Sequence, residues 1–268
     1  MKFLPISLPR SRSTFLFESL RGYHEQQGLQ VPLNHSEYFL EYNRTVEFFD
    51  AKTQKHVQTE IIPIVFNNRI RMQFMHPPLF NDSKERNNYK LNILQEERSK
   101  GREYYFKCTS QIADSIKEIT DFFSDRIFLI TKRKNMIDNV LSAQFAWETQ
   151  LFHCRENNLD LYMKYINEGV TLDTNRFDTY INYILDNFNK VENYLIENKI
   201  PYKILYYEYL TDDNYISEII ETDEWVKYRK DKHISTKHIE KDYSTVIKNY
   251  DECVAVIKKV LDANQKVR

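Results

Sequence analysis

An α/β fold with a central parallel sheet flanked by helices is expected from this sequence, on three observations. Short apolar runs alternate along the chain with longer stretches whose apolar positions recur at helical spacing. Each strand–helix–strand unit of that kind favours parallel pairing through a right-handed crossover. The chain has 268 residues, 41% of them hydrophobic, which suffices for one sizeable core, so a single domain over 1–268 is expected.

The first apolar run, Phe3-Leu4-Pro5-Ile6, reads as the opening strand. A helix follows from about Ser13 to Gln27, where Phe15, Leu16, Ser19 and Leu20 return at helical spacing and Gly28 supplies a stop. Val31 to Phe39 reads as a loop leading into a short helix. Ile61 to Phe66 fits either a strand or a buried helical segment, and Met75-His76-Pro77-Pro78 breaks whatever precedes it. Tyr89, Ile93, Leu94 and Glu97 mark a helix that Gly101 ends. Tyr104 to Cys108 reads as one buried strand, after which Ile112, Ile116, Ile119 and Phe123 share a helical face.

Arg126 to Thr131 is a further buried strand. It leads into the basic turn Lys132-Arg133-Lys134-Asn135 and a long helix holding Ile137, Val140, Leu141, Gln144 and Trp147. A helix from about Arg176 to Asn198 has a wide apolar face (Phe177, Ile181, Ile184, Phe188, Val191, Leu195), the signature of core packing. Pro201 to Tyr207 is the next strand, closed by Glu208, with a short helix near Tyr215 to Ile220. Tyr228 to Asp242 turns polar and basic, and a helix from about Tyr250 to Ala263 ends the chain.

A net charge of −1 removes any broad attraction to nucleic acid or membrane, so an anion site has to be local. Cys108, Cys154 and Cys253 are scattered without metal-ligand spacing, which points to a reducing compartment and no metal site. The N-terminal apolar run is short and is interrupted by Arg10 and Arg12, unlike a secretory signal. No run reaches the length of a membrane-spanning helix, and a cytoplasmic location is expected.

Between the first strand and helix lies Pro9-Arg10-Ser11-Arg12-Ser13-Thr14. A loop that opens a helix presents unpaired N–H groups and the positive end of the helix dipole, which favours phosphate or sulfate. Arg10 and Arg12 add fixed charge, and Ser11, Ser13 and Thr14 add hydroxyl donors. An ordinary turn with a Ser N-cap is the alternative. The segment lacks the Gly and Lys of a nucleotide-binding P-loop. The basic turn at Arg133, with Ser142 about two helical turns beyond, is a second candidate anion site; a solvated basic turn is the alternative. In an open α/β sheet, loops at the carboxyl ends of strands line the ligand crevice, so His35 and Glu37 are expected near Arg10.

The wording Pro9-Arg10-Ser11-Arg12-Ser13-Thr14 after a strand resembles the 5′-phosphosulfate loop of sulfotransferases, although Arg12 stands where the commoner form has Gly. Arg133 with Ser142 resembles that family's 3′-phosphate site, at a spacing one residue longer than the commonest form. Asn34-His35-Ser36-Glu37-Tyr38-Phe39 is similar to a segment of bacterial sulfotransferases that modify sugars. Tyr105-Phe106-Lys107-Cys108 looks like their second strand, Tyr207-Glu208-Tyr209-Leu210 like a frequent strand-end sequence, and Ser235 to Tyr250 like bacterial and phage members.

The resemblance implies a P-loop NTPase-like three-layer fold and an enzyme whose donor is 3′-phosphoadenosine 5′-phosphosulfate (PAPS), with no metal. It implies Arg10, Glu37 and Lys107 as catalytic residues, with Glu37 as general base and His35 or His76 as rivals for that role. Arg10, Ser11, Arg12, Ser13, Thr14, Arg133 and Ser142 are implied to bind the donor; the basic run Arg229, Lys230 and Lys232 is a candidate to close over its 3′-phosphate, with a solvated charged face as the alternative. A small-molecule or glycan acceptor is expected, its identity not given by the sequence, and residues 46–98 are expected to form an insertion that shapes its pocket. Two alternatives stay open: a phosphotransferase that uses another nucleotide, and a catalytically silent nucleotide- or sulfate-binding protein on the same fold.

Overall fold

The computed structural model describes residues 1–7, 13–32, 48–50, 55–57, 60–75, 80, 83–149, 151, 159–229 and 242–266. The apolar opening run forms strand β1 (Phe3–Ser7), wholly buried. Helix α1 (Ser13–Gln26) follows and stops before Gly28, whose φ of +82° is a conformation only glycine adopts cheaply. A two-residue strand, β2 (Leu29–Gln30), comes next.

Two antiparallel strand pairs follow: β3 (Phe48–Asp50) with β4 (Lys55–Val57), and β5 (Glu60–Phe66) with β6 (Arg69–Met75). The ambiguity at Ile61 to Phe66 is thereby resolved in favour of a strand. Its turn, Asn67-Asn68, has both residues at positive φ (48° and 60°), the backbone that a tight hairpin requires and Asn tolerates. Helix α2 (Ser83–Ser99) starts earlier than the apolar spacing indicated.

The single strand expected over Tyr104 to Cys108 is two strands. β7 (Glu103–Tyr104) pairs with β2, and β8 (Cys108–Thr109) pairs with β1. At the break, Tyr105 N still donates to Gln30 O (2.7 Å), while its buried ring stacks on Phe17 with centroids 4.8 Å apart. The run is uniformly apolar because it is buried throughout, but its hydrogen-bonding neighbour changes midway.

A 3-10 turn (Ser110–Ser115) leads into α3 (Ile116–Phe122), then β9 (Ile127–Lys132) and α4 (Met136–Thr149). Helices α5 (Leu159–Glu168) and α6 (Phe177–Glu197) precede β10 (Tyr202–Tyr206). The chain continues through α7 (Asp213–Ile220), α8 (Glu224–Tyr228), α9 (Tyr243–Val246) and α10 (Tyr250–Lys266). Asp212 caps α7 by accepting from Asn214 N and Tyr215 N, as an N-cap Asp should.

The main sheet is parallel, in the order β10-β9-β1-β8. Side-chain alternation along β1 and β9 sends Leu4, Ile6, Phe128 and Ile130 to one face, where they meet Leu91 and Leu94 of α2, Ile119 of α3, and Ile184 and Phe188 of α6. Phe3, Leu129 and Leu205 face the other way, against Leu16, Phe17 and Leu20 of α1, Ile216 of α7 and Trp225 of α8. Helices therefore cover both faces of the sheet. A third cluster joins α4, α5, α6 and α10 through Leu141, Phe145, Tyr162, Ile181 and Ile257. Within 46–98, the hairpin β5–β6 and α2 are tied to the body: Ile70 and Met72 join the first core, and Ile70 N donates to Tyr104 Oη (3.0 Å). No helix among the described residues is long and apolar enough to cross a membrane.

Candidate functional site

Parallel pairing puts the carboxyl ends of the four strands on one edge. Ser7 is level with Thr109 on one side and Thr131 on the other, and Tyr206 is level with Lys132. After β1 the chain crosses to β8 on one flank, then returns to place β9 on the opposite flank. The switch point of the topology therefore falls between β1 and β9, where open α/β sheets form their ligand crevice. Segment 8–12 joins β1 to α1 at this point, and the basic turn after β9 leaves the neighbouring strand end.

On the β1 side, Thr14 lies in the first turn of α1. Its Oγ1 accepts a hydrogen bond from Lys107 Nζ at 2.8 Å, and Lys107, just ahead of β8, is only 3% exposed. Ser7 Oγ donates to Cys108 O (3.2 Å), a side-chain tie between β1 and β8. The ammonium and the positive end of α1 thus share one partly buried place, and both favour a bound anion there. Two of the sequence-derived candidates, Lys107 and Thr14, are brought into contact although 93 residues separate them.

On the β9 side, the three basic residues of the turn divide by role. Lys132 Nζ donates to both carboxylate oxygens of Glu192 at 2.8 Å and lies over the Phe188 ring, so its charge is committed. Lys134 Nζ donates to Tyr209 Oη (3.0 Å), and this bond raises its pKa. Arg133 is different. Its side chain is 9% exposed, its guanidinium carbon sits 4.2 Å from the Tyr207 ring centroid, and Asp138 is 3.6 Å from Nη2. Arg133 Nε is buried without a hydrogen-bond partner among the described residues. A buried guanidinium donor in that state is costly unless an acceptor reaches it, and the donor is shaped for phosphate.

Ser142 is buried on α4, on the same side as Asn139 one turn nearer the strand end. Asn135 caps this helix by accepting from Asp138 N (3.2 Å). Arg229 comes from far along the chain but lies beside α1. Its guanidinium is 5.5 Å from the Phe15 ring and 5.9 Å from Trp225, and Nη1 donates to Asp213. Close packing of α1 and α8 permits this: a Cβ on Gly22 would lie 2.0 Å from Tyr228 O.

Arg10, Ser11, Arg12, His35, Glu37, His76 and Lys230 lie outside the described residues, as does the side chain of Ser13, which begins α1. Sequence reasoning missed the acidic partners of the cations, Glu192 for Lys132 and Asp213 for Arg229, and the contacts of Glu208. Glu208 Oε1 accepts from Lys134 N (3.0 Å) and Asn135 N (3.3 Å). The available signal was an acidic residue directly after one strand, level with a basic turn after another, but it becomes legible only once β9 and β10 are known to be neighbours. No protein-family model and no curated protein sequence matches the chain, so the functional reading rests on the geometry of this sheet edge.

Proposed function

We propose that the chain is a sulfotransferase that moves a sulfuryl group from PAPS to an acceptor hydroxyl on a carbohydrate or other small molecule. One observation carries the proposal: two cationic groups flank the switch point between the adjacent strands β1 and β9. One is Lys107 with Thr14 at the first turn of α1; the other is Arg133 at the end of β9. A ligand with two separated phosphate positions fits such a pair better than a nucleotide with one contiguous phosphate chain. The Arg133 Nε, buried without a hydrogen-bond partner among the described residues, is the observation that fits a phosphate at the second anchor.

In this reading, Arg10, Ser11, Arg12, Ser13 and Thr14 cradle the 5′-phosphosulfate. Arg133 and Ser142 hold the 3′-phosphate, and Arg229 and Lys230 close over it. PAPS, when bound, supplies a sulfuryl group on a good leaving group. Transfer is an in-line displacement: the bond from sulfur to the bridging oxygen breaks, a bond from sulfur to the acceptor oxygen forms, and Glu37 takes the acceptor proton. The electron pair stays with the bridging oxygen, so Arg10 and Lys107, as donors aimed at the 5′-phosphosulfate, stabilise the transition state more than the ground state. Residues 46–98 supply the acceptor pocket.

Calorimetry with adenosine 3′,5′-bisphosphate and with ATP tests the donor site, and tight binding of the bisphosphate with weak binding of ATP is expected. The reverse order would exclude a sulfotransferase and favour a phosphotransferase. Labelled-sulfate transfer from PAPS to a panel of glycan, phenol and peptide acceptors then separates an enzyme from a silent nucleotide-binding protein.

A further inference from the structure

We infer that Tyr207 and Glu208, at the end of β10, are positioning residues that pre-organise Arg133 for a phosphate, and so determine preference for a ligand phosphorylated at the 3′ position. This inference rests on the donor-site reading above. Its basis is a run of contacts between two adjacent strand ends. Tyr206 is level with Lys132, and beyond this pair the 3-10 turn Tyr207–Tyr209 lies against the turn Arg133-Lys134-Asn135. Tyr207 presents its ring face to the Arg133 guanidinium at 4.2 Å. Glu208 Oε1 accepts from the backbone N–H groups of Lys134 and Asn135 at 3.0 and 3.3 Å, and Tyr209 Oη accepts from Lys134 Nζ at 3.0 Å.

Each contact has a separate physical consequence. A free arginine side chain has many rotamers, and fixing it during ligand binding costs affinity. The aromatic face removes that cost by holding the planar guanidinium beforehand, through stacking and cation–π attraction. The carboxylate holds the main chain of the turn, which fixes where the Arg133 side chain departs. Glu208 and Asn135 also occupy backbone N–H groups at the start of α4, namely those of residues 134, 135 and 138. A helix start with free N–H groups would itself attract phosphate. Those three N–H groups are taken up within the protein, and the Arg133 guanidinium, already oriented by Tyr207, is the charged donor that the turn presents.

The test compares adenosine 3′,5′-bisphosphate with adenosine 5′-monophosphate by calorimetry, since the two ligands differ only in the 3′-phosphate. The wild-type protein is expected to prefer the bisphosphate. Glu208→Ala is expected to lose about tenfold in bisphosphate affinity, the scale of one or two charge-assisted bonds, with monophosphate affinity kept. Glu208→Gln, which retains the acceptor oxygen, restores the preference. Tyr207→Leu behaves like Glu208→Ala, and Tyr207→Phe like the wild type. Retained monophosphate binding shows that each variant is folded. A wild-type protein that discriminates, with Glu208→Ala and Tyr207→Leu discriminating equally well, overturns the positioning role alone. A wild-type protein that binds both ligands alike overturns the 3′-phosphate site itself, and the positioning role with it.

Discussion

His24 is wholly buried on α1 among the rings of Tyr105, Tyr23 and Phe3, with centroids 4.1, 5.4 and 5.8 Å away. Neither ring nitrogen has a hydrogen-bond partner among the described residues. Desolvation, followed by the charges of Arg126, the N-terminus and Lys2, lowers its pKa to about 3. The folded state therefore refuses a proton that the unfolded chain takes up near pH 6.5, so stability falls as pH drops from 6.5 toward 3. Between pH 7 and pH 5 the loss from this one group is about 2 kcal/mol. Urea unfolding at pH 5, 6 and 7 checks this: His24→Phe should flatten the dependence, and an unchanged slope would clear His24 of responsibility. At the proposed site, Arg10→Ala is expected to lower kcat by about 10²- to 10³-fold, the usual effect of removing one transition-state donor. Glu37→Gln should bind adenosine 3′,5′-bisphosphate normally but lose sulfate transfer in the labelled assay; a fully active variant would move the base to His35 or His76. At this scale the sequence was informative about cations and poor about their neutralisation. Arg133 could be picked out as a strand-end base, but nothing local showed that Glu192 withdraws Lys132 while Arg133 Nε has no hydrogen-bond partner among the described residues.

Elements were legible where a periodic face was long. The wide face on α6 and the buried run at β9 emerged within a residue or two of their expected limits, because burial imposes period and apolarity on those residues directly. Where the neighbour, and not the burial, decided the structure, local pattern failed. The division of Tyr104 to Cys108 into β7 and β8 depends on β2 claiming the first half and β1 the second. Helix α8, at five residues, is too short to show a period at all. Its placement is nevertheless exacting. Gly22, in the middle of α1, is a poor helix former whose reason is the approach of Tyr228 O to 2.0 Å from where a Cβ would stand. Alanine should gain about 1 kcal/mol in helix propensity. The clash with a backbone oxygen should cost more, so Gly22→Ala is expected to be net destabilising by about 1–3 kcal/mol in chemical denaturation. Because α8 carries Arg229 to the Phe15 side of α1, the same variant should weaken bisphosphate binding in calorimetry. A variant with unaltered stability would mean that the two helices do not approach as described.

The arrangement that makes a site exists only at the level of the molecule. Alternation along β1 and β9 sends one set of side chains to each of two helical layers, and both layers are needed to hold the strands in register. That register sets the carboxyl end of β1 level with that of β9, just ahead of the turn at Arg133. The strand order β10-β9-β1-β8 is set by long-range pairing, so no window of sequence could have given it, although each strand could be found alone. A ligand that spans both anchors therefore binds the folded chain and has nothing comparable to bind in the unfolded one. At a ligand concentration about 100 times its Kd, such linkage adds about 2.7 kcal/mol. For a chain of this size that corresponds to a rise in Tm of about 5–10 °C. Thermal unfolding should show this rise with adenosine 3′,5′-bisphosphate and a clearly smaller one with equal concentrations of ATP or adenosine 5′-monophosphate. Arg133→Ala should reduce the bisphosphate shift to that of the monophosphate, because it removes one of the two anchors and leaves the other in place. If all three nucleotides shift Tm equally in the wild-type protein, only one anchor operates, and a donor with separated phosphates is no longer the ligand this sheet edge selects.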